Sequence, residues 1–222
     1  MAEVIFSLLR KIEESPVLAR LKLSPGRFFV VSVHREENVD STERLTELLL
    51  SLNLIAKTYR QPVIVSTHPR TRMRLETLRQ ERLDLALDTS IQFLKPFGFL
   101  DYAMLQQQAF CVLSDSGSLT EDASLLNFPA VTIREAHERP EGMDVATLVM
   151  SGLSGERIMQ AIEIVTAHHS REKRSIAVVP DYEVDCVSNK IVRIILSYVD
   201  YVNRTIWHKK AQSNIESTQQ LS

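Results

Sequence analysis

Short, uninterrupted runs of β-favouring apolar residues alternate along this chain with longer segments that carry a helical apolar period. The runs are apolar at every position rather than at every second one, which is typical of strands covered on both faces. Six candidate strands share this pattern: 28–33, 62–66, 91–94, 110–114, 130–133 and 147–150. The alternation predicts an α/β fold, namely a Rossmann-like, doubly wound parallel sheet of about six strands.

The segments between these runs predict the helices that cover the sheet. The clearest is 41–59, in which leucine, isoleucine and alanine recur at helical spacing. Asp40 followed by Glu43 predicts the N-terminal cap of that helix. Further helical periods cover 71–82, 99–108, 118–126, 154–168 and 183–203.

Both ends of the chain carry apolar helices outside the alternating pattern. One covers 4–13, before the first strand, and a long one covers 184–207 and ends in Trp207. Either both pack back onto the same domain, or they expose apolar surfaces that bridge to another domain. The sequence leaves both arrangements open. The last dozen residues lack apolar spacing, which predicts a disordered tail at 211–222.

Composition excludes several functional classes. With 26 basic and 28 acidic residues the net charge is −2, so neither nucleic acid nor a membrane surface is a predicted partner. No apolar run approaches the roughly 20 residues of a membrane span, and the N-terminus lacks the features of a signal peptide. Cys111 and Cys186 have no metal-ligand spacing and indicate a reducing compartment. We therefore expect a cytoplasmic protein.

Polar residues follow two strands that the expected topology brings together. In an open parallel sheet, ligands bind outside the carboxyl ends of the strands, where the strand order reverses. If the order is 3-2-1-4-5-6, that point lies between the first and fourth strands. The loops that leave these strands there are His34–Asn38 and Ser114–Ser118. The sequence therefore predicts a ligand-binding crevice between these two loops.

Ser116, Gly117 and Ser118 open the predicted helix 118–126. Free backbone N–H groups and the positive end of the helix dipole suit a helix start to phosphate binding, and glycine lets the backbone approach a ligand closely. The alternative is plain N-capping, because Ser118 and Glu121 match the S-x-x-E capping box. The residues alone leave both roles open.

Histidine and arginine residues lie in loops beside the same crevice. Arg139 and His137 belong to the sequence HERPE after the fifth strand, and the stiffening Pro140 favours anion binding by Arg139 over a solvated charge cluster. His34 is either a core histidine or a crevice residue, and His68 leaves the second strand in the same way. The sequence has no glycine-rich dinucleotide loop, P-loop or hydrolase nucleophile motif.

Four segments together resemble a known family: SVHREEN (32–38), THPR (67–70), SDSGSLTED (114–122) and REAHERPEGM (134–143). They are similar to the C-terminal half of the non-hydrolysing UDP-N-acetylglucosamine 2-epimerases, and the resemblance covers about residues 1–205. Residues 128–144 are most similar to the branch that makes UDP-N-acetyl-L-fucosamine for capsule and O-antigen.

The resemblance implies a fold similar to GT-B glycosyltransferases, in which the active site lies between two Rossmann-like domains and this chain is the second. It implies an isomerase that eliminates UDP to a 2-acetamidoglycal and re-adds UDP with C2 inverted. Neither a nicotinamide cofactor nor a metal is implied.

The resemblance also implies which positions bind UDP: Ser116, Gly117, Ser118, Glu121, Asp122, Arg139, Phe97 and Tyr102. The two serines and the glycine would hold the diphosphate, and Arg139 would pair with it. Asp122 falls at the ribose position, and Phe97 and Tyr102 fall on the uracil side. In the cleft, His34 would be the catalytic histidine. A regulatory nucleotide-sugar site would be lined by Arg35, His68 and Glu138.

Three positions depart from the family pattern. Ser118 replaces the usual small third residue, Phe97 stands where a polar residue often lies, and Asp122 replaces a glutamate. The shorter carboxylate shifts its oxygens by about 1.5 Å, which predicts a weaker ribose contact.

The resemblance implies that the acid and base carboxylates of the family lie in its first domain, whereas Met1 falls near the interdomain helix. It divides the chain into an interdomain helix (1–20), a UDP-binding domain (21–182), a long C-terminal helix (183–210) and the tail.

Proton abstraction from C2 needs a base within hydrogen-bond reach on either face of the sugar. We therefore hypothesise that the chain binds UDP or a UDP-N-acetylhexosamine and is active only with the missing N-terminal domain, supplied by a separate chain or lost from a split gene. Whether the chain forms a homodimer stays open.

Other functions stay open on the residues alone: a GT-B glycosyltransferase donor domain, a non-catalytic UDP-sugar-binding protein and an interaction module without affinity for UDP. No two glutamates stand eight residues apart, which counts against the E-x7-E pattern of many retaining glycosyltransferases. A non-catalytic binding protein would have polar outer faces on its terminal helices, whereas an exposed apolar face favours the split enzyme.

Overall fold

The computed structural model describes residues 1–81, 85–136 and 138–209, so His137 and the predicted tail at 211–222 lie outside the described residues. The strands in the described part of the chain are β1 (Phe29–Ser32), β2 (Val63–Ser66), β3 (Ile91–Leu94), β4 (Cys111–Ser114), β5 (Ala130–Thr132) and β6 (Val149–Met150). They form one parallel sheet in the order β3-β2-β1-β4-β5-β6, which confirms the predicted fold class and strand order.

Helices between residues 2 and 167 cover both faces of the sheet, and a further helix follows them in the chain. They are α1 (Ala2–Glu13), α2 (Val17–Leu21), α3 (Glu36–Val39), α4 (Thr42–Tyr59), α5 (Pro69–Glu81), α6 (Phe99–Gln108), α7 (Ser118–Leu126), α8 (Pro140–Asp144), α9 (Gly155–Ala167) and α10 (Val187–Thr205), with a 3-10 helix at Pro180–Tyr182. None of the helices in the described ranges combines the length and apolar character that a membrane span requires.

Most strand positions are apolar because each face of the sheet meets its own layer of helices. Phe29 and Val31 belong to a core cluster with residues of α4 and α9, while Val30 belongs to a second cluster with residues of α1, α6 and α7. Successive side chains of a strand point to opposite faces, so the three apolar positions of β1 alternate between the two clusters. Each fully buried aliphatic or aromatic side chain contributes about 1.5–3 kcal/mol of transfer free energy.

The register of the central strands brings their carboxyl ends level. Ser32 of β1 pairs with Ser66 of β2 on one side and with Ser114 of β4 on the other. The loops that follow these three strands therefore begin at the same edge of the sheet, and the reversal of strand order lies between β1 and β4.

The predicted N-cap of α4 is wrong. Ser41, not Asp40, is the N-cap of α4, and its hydroxyl accepts a hydrogen bond from the backbone N–H of Arg44 at 3.3 Å. Asp40 instead pairs with Arg70 and Arg74, because those guanidinium groups reach its carboxylate from α5.

Of the two roles left open for the start of α7, the capping box of Ser118 and Glu121 does not form. Ser118 is the first helical residue, and Gly117 is the N-cap, with no side-chain hydrogen bond to the helix. Glu121 is drawn away from the helix terminus by an ion pair with Arg139.

The chain divides into two compact units, Met1–Glu183 and a second that begins at Val184. In the first unit, Ala2, Ile5 and Ile12 of α1 are buried against the cluster that includes α6. In the second unit, α10 has no buried residue, and more than half of the surface of its apolar side chains Ile191, Ile195 and Tyr198 is exposed. The predicted boundaries at residues 20 and 182 stay predictions.

Candidate functional site

The loops after β1 and β4 are joined by Asp115, whose side chain is fully buried. Its Oδ2 accepts hydrogen bonds from the backbone N–H of His34 at 3.1 Å and of Arg35 at 2.9 Å, and from Asn38 Nδ2 at 3.1 Å. Asn38 Oδ1 in turn accepts from Arg44 Nη2 at 3.0 Å. Because one carboxylate satisfies donors from the whole first loop, Asp115 fixes the shape of the crevice.

His34 lies on the crevice side of this carboxylate. Its Nδ1 is 3.2 Å from Asp115 Oδ1, and 46% of its side chain is exposed. The hydrogen bond to Asp115 raises the pKa of His34, against the opposing effect of burial. Burial by itself would raise the pKa of Asp115, but the hydrogen bonds from His34, Arg35 and Asn38 hold that pKa below its usual value. Since Nδ1 faces a carboxylate, it carries the proton, and Nε2 is the free acceptor of the neutral ring.

The start of α7 forms the opposite wall of the crevice. The hydroxyl groups of Ser116 and Ser118 contact each other at 3.0 Å, and neither caps the helix. Gly117 has an ordinary φ of −65°, so no left-handed conformation requires glycine there. A Cβ at Gly117 would lie 3.1 Å from Glu138 Oε2, which is a tight contact with the end of the Glu138 side chain.

Glu138 is held over Gly117 by two arginines. Arg35 Nη1 and Nη2 donate to the two carboxylate oxygens at 3.0 and 2.9 Å, and Arg134 Nη2 donates to Oε1 at 3.0 Å. Arg35 Nε also donates to the carbonyl oxygen of Asp115 at 2.8 Å. The hydrogen bonds from Arg134 and Arg35 lower the pKa of Glu138 to about 2, so this carboxylate is charged at neutral pH.

Arg139 lies beside the first turn of α7. Its Nη1 is 2.5 Å from Glu121 Oε1 and 4.0 Å from Glu141 Oε1, and its guanidinium carbon is 5.8 Å from the ring centroid of Tyr182. The Tyr182 hydroxyl donates to Glu141 Oε1 at 2.7 Å. The arginine is therefore positioned by two carboxylates and one aromatic face.

The close packing of α8 on α7 explains how Arg139, at the N-terminus of α8, reaches this position. A Cβ on Gly142 would overlap the methyl group of Thr120, so only glycine permits this approach of the two helices.

The proposed nucleoside side of the site includes Asp122, Tyr102 and Phe97. Asp122 Oδ2 is 3.5 Å from Gln106 Nε2, and burial raises the pKa of Asp122 to about 6. Burial likewise raises the pKa of Tyr102 to about 12, and the charges of Asp122 and Asp115 act in the same direction. Phe97 packs with Tyr102 on the apolar cluster of that face, but no hydrogen bond or ion pair joins it to the other described site residues.

His68 lies on the other side of Arg35, after β2. It is exposed, and its Nδ1 accepts a hydrogen bond from the backbone N–H of Arg70 at 3.3 Å. A shallow pocket of about 350 Å³ is lined by His34, Arg35, Glu36, Glu37, His68 and Arg70. The structure thus brings the predicted cleft residues to the β1–β2 side of the crevice and the predicted diphosphate residues to the β4–β5 side.

Sequence reasoning did not select three residues that the structure shows to be central. Asp115 had a usable signal, since it is the first charged residue after a buried strand. Arg134 had the same signal after β5. Tyr182 had no such signal in the sequence, because it is far from the last strand along the chain. Only the folded structure brings it close to Arg139. Within the described ranges, no three His, Cys, Asp or Glu side chains are grouped as a metal site requires.

Comparisons with known proteins place this geometry in a family. A sequence profile of the UDP-N-acetylglucosamine 2-epimerases matches residues 1–196. The UDP-N-acetylglucosamine 2-epimerase of Methanococcus maripaludis is 36% identical over 137 residues, which are 62% of this chain and 37% of that relative.

Two solved structures are similar over most of the chain. The UDP-N-acetylglucosamine 2-epimerase from Rickettsia bellii is 49% identical with a TM-score of 0.78, and the match covers 93% of this chain and 54% of that one. The Methanocaldococcus jannaschii UDP-GlcNAc 2-epimerase in complex with UDP-GlcNAc and UDP is 29% identical with a TM-score of 0.74, covering 88% and 52%. The chain thus spans about half the length of these solved relatives. Because the profile covers most of its residues, the chain belongs to the UDP-N-acetylglucosamine 2-epimerase family.

Proposed function

We propose that this chain is the UDP-binding part of a UDP-N-acetylhexosamine 2-epimerase and that the nucleotide binds in the crevice between β1 and β4. The observation that carries the proposal is the start of α7, where Gly117 is the N-cap and the hydroxyls of Ser116 and Ser118 stand beside it without capping the helix. Arg139 lies beside the same turn. A relative solved with UDP-GlcNAc and UDP supports this ligand class.

Each part of the nucleotide has a matching group in the crevice. Unpaired N–H groups and the helix dipole at α7 favour the diphosphate, and Arg139 exchanges Glu121 for a phosphate oxygen. Ribose hydroxyl groups donate to Asp122, which has only a long contact to Gln106 in the free protein. The uracil ring packs against Phe97 and Tyr102.

The reaction we propose breaks the bond between C1 of the sugar and the β-phosphate oxygen while a base removes the proton from C2. The products are a 2-acetamidoglycal and UDP, and re-addition of UDP with a proton delivered to the other face inverts C2. The residues of this chain stabilise the negative charge of the departing UDP, through Arg139 and the N-terminus of α7. His34, oriented by Asp115, is the group of this chain that we propose contacts the reacting sugar.

Proton transfer at C2 needs further groups. Three carboxylates of the crevice are committed to other groups: Asp115 to the first loop, Glu138 to two arginines and Glu121 to Arg139. Glu36 pairs with Arg70, Glu37 lies 3.8 Å from Arg134, and Asp122 is assigned to the ribose in this proposal. We therefore propose that turnover requires the other domain of the family architecture, whether a separate chain supplies it or it is continuous with this one.

The second unit of the chain supports a partner domain over an autonomous binding protein. A helix with apolar side chains exposed along its length, as in α10, is typical of a surface that packs against another domain. This is the apolar face that the sequence associates with the split enzyme.

The sugar and the pathway are proposed from the resemblance of residues 128–144 to the branch that makes UDP-N-acetyl-L-fucosamine. We propose a cytoplasmic enzyme of nucleotide-sugar synthesis for capsule or O-antigen. Epimerisation of UDP-2-acetamido-2,6-dideoxy-L-hexoses compared with UDP-N-acetylglucosamine, after the partner domain is added, tests this choice.

Calorimetric titration with UDP tests the binding function. We expect saturable binding to the wild-type chain and affinity weakened by about 1.5–3 kcal/mol in Arg139→Ala, because a charge-assisted contact is lost. Arg157→Ala, on the exposed face of α9, is the matched control and should bind as the wild type does. Absence of UDP binding would refute the proposal, and robust epimerisation by the chain alone would show that the bases lie within it.

A further inference from the structure

Two arginines from different loops converge on the single carboxylate of Glu138. Arg35 comes from the loop after β1 and forms a two-pronged contact with both oxygens, and Arg134 comes from the loop after β5 and adds a third hydrogen bond. This planar fork geometry suits phosphate as well as carboxylate. Two guanidinium groups therefore converge on the Glu138 carboxylate, and the Glu37 carboxylate is a second, more distant negative charge beside Arg134.

Arg134 has donor capacity that Glu138 does not use. Only 7% of the residue is exposed, and its Nε finds no hydrogen-bond acceptor among residues 1–81, 85–136 and 138–209. Glu37 Oε1 lies 3.8 Å from that nitrogen, which is beyond hydrogen-bond distance. A buried guanidinium is costly when its donors are unmatched, so an acceptor richer in oxygen atoms than Glu138 would satisfy it better.

Glu138 also lies where an anion meets the N-terminus of α7. Its Oε2 is the atom that a Cβ at Gly117 would contact, and Gly117 immediately precedes the first helical residue. About half of the Glu138 side chain is exposed, so the carboxylate has room to rotate toward solvent. Arg35 and Arg134 are held independently of it, Arg35 through the Asp115 carbonyl and Arg134 through burial.

We infer that Arg35 and Arg134 form an anion site that the Glu138 carboxylate occupies in the free protein and that a diphosphate oxygen takes over when Glu138 rotates out. The identity of this anion rests on the proposed function, since the diphosphate is that of the same nucleotide. Glu138 is then an internal competitor of the ligand, and Arg134 is an additional diphosphate residue beside Arg139.

The test compares Glu138→Gln with Glu135→Gln in titrations with inorganic diphosphate, UDP and uridine. Glu135 is in the same loop and pairs with Arg44, so its variant controls for the loss of one negative charge. We expect Glu138→Gln to bind inorganic diphosphate and UDP about fivefold to twentyfold more tightly than both the wild type and Glu135→Gln. Uridine, which has no phosphate, should bind all three proteins alike. Equal diphosphate affinity in Glu138→Gln and Glu135→Gln, or weaker binding by Glu138→Gln, overturns the inference.

The same titrations distinguish a failure of this inference from a failure of the proposed function. Tighter diphosphate binding in Glu138→Gln without UDP binding by any of the proteins would leave the anion site standing and remove the nucleotide function. Should Glu138→Gln fail to fold, Glu138→Ala replaces it. A structure of the wild-type chain with diphosphate is the direct check. We expect Glu138 to have left Arg35, and a carboxylate still paired with Arg35 beside a bound diphosphate would refute displacement.

Discussion

Asp115 and Asp122 both serve the crevice between β1 and β4, yet their surroundings shift their pKa values in opposite directions. Asp115 is fully buried but accepts hydrogen bonds from His34, Arg35 and Asn38, and its pKa lies below the usual value. Asp122 is only partly buried, has one long contact to Gln106 and stands beside Glu121, and its pKa rises to about 6. Burial acts on both, so the number of donors decides the outcome.

The difference separates scaffold from binding surface. A carboxylate whose oxygens are fully matched has no capacity left for a ligand, so Asp115 shapes the loops. A carboxylate kept from water without matched donors gains from any hydroxyl group that arrives, which is the behaviour expected of a ribose ligand. The same division applies to Ser116 and Ser118, whose hydroxyls do not cap α7, and to Arg134, whose Nε has no acceptor among the described residues.

Removal of the scaffold carboxylate should have the largest effect. Asp115→Ala leaves the backbone N–H groups of His34 and Arg35 and the Asn38 amide without their acceptor, so we expect the free energy of unfolding to fall by about 3–5 kcal/mol. Urea unfolding measures the change. Asp144→Asn, an exposed acid of α8, is the control and should stay within about 0.5 kcal/mol of the wild type. A loss below about 1 kcal/mol would show that Asp115 is not the scaffold.

Asp122 should give the next largest effect, and it depends on pH. Its folded pKa of about 6 lies above the ordinary 3.8, so the folded state holds the proton more tightly. The stability from this group is therefore full below pH 3.8 and is lost as pH rises through about 6. Relative to Asp122→Asn, which cannot ionise, the wild type should lose about 2–3 kcal/mol of unfolding free energy between about pH 4 and pH 7.

Urea unfolding of both proteins across this pH range gives the difference directly. Asp144→Asn again serves as control, and its profile should run parallel to that of the wild type. Parallel profiles for Asp122→Asn and the wild type would mean that Asp122 ionises normally, and the contrast with Asp115 would then disappear.

The sequence predicts those parts of the structure in which burial determines which residue types can occur. The strands follow from the sequence because coverage on both faces favours apolar residues at successive positions, as in 29–31 of β1 and 111–113 of β4. The caps do not, because Asp40 and Ser41 are both good capping residues, and arginines from α5 decide between them. That choice depends on tertiary contacts, which local pattern does not encode.

The site follows the same rule. Strand order alone places Ser116–Ser118 against the loop after β1, and the structure brings these loops together through Asp115. The sequence does not reveal that Glu138 would be held by Arg35 from a distant loop, or that Tyr182 would bond Glu141 beneath Arg139. Those contacts arise between loops whose conformations are fixed only by the assembled sheet. The roles assigned to the site residues stay predictions.

A substitution at Tyr182 tests whether its hydroxyl group orients the Glu141 carboxylate beside Arg139. Tyr182→Phe keeps the ring near Arg139 and removes the hydroxyl that donates to Glu141, so we expect a loss of about 1 kcal/mol in unfolding free energy. The pKa of Glu141, which this hydrogen bond lowers, should rise toward its usual value in a carboxyl NMR titration. Tyr198→Phe, on an exposed tyrosine, should change neither quantity. An unshifted Glu141 pKa in Tyr182→Phe would show that the hydroxyl does not orient this carboxylate.

The smallest expected change is the most direct test of which serines are committed to the fold. Ser41 caps α4 through the Arg44 N–H, so Ser41→Ala should cost about 1 kcal/mol, the usual contribution of an N-cap. The Ser118 hydroxyl hydrogen-bonds with the Ser116 hydroxyl and does not cap the helix, so Ser118→Ala should cost less than about 0.5 kcal/mol in urea unfolding. Equal losses would restore the capping role that the S-x-x-E pattern suggests and would leave the start of α7 without a free hydroxyl for phosphate. The alternative result is a smaller loss of unfolding free energy in Ser118→Ala than in Ser41→Ala, together with weaker UDP binding by Ser118→Ala alone. That result would assign the Ser118 hydroxyl to the ligand, because the hydroxyl would then matter for binding and not for folding.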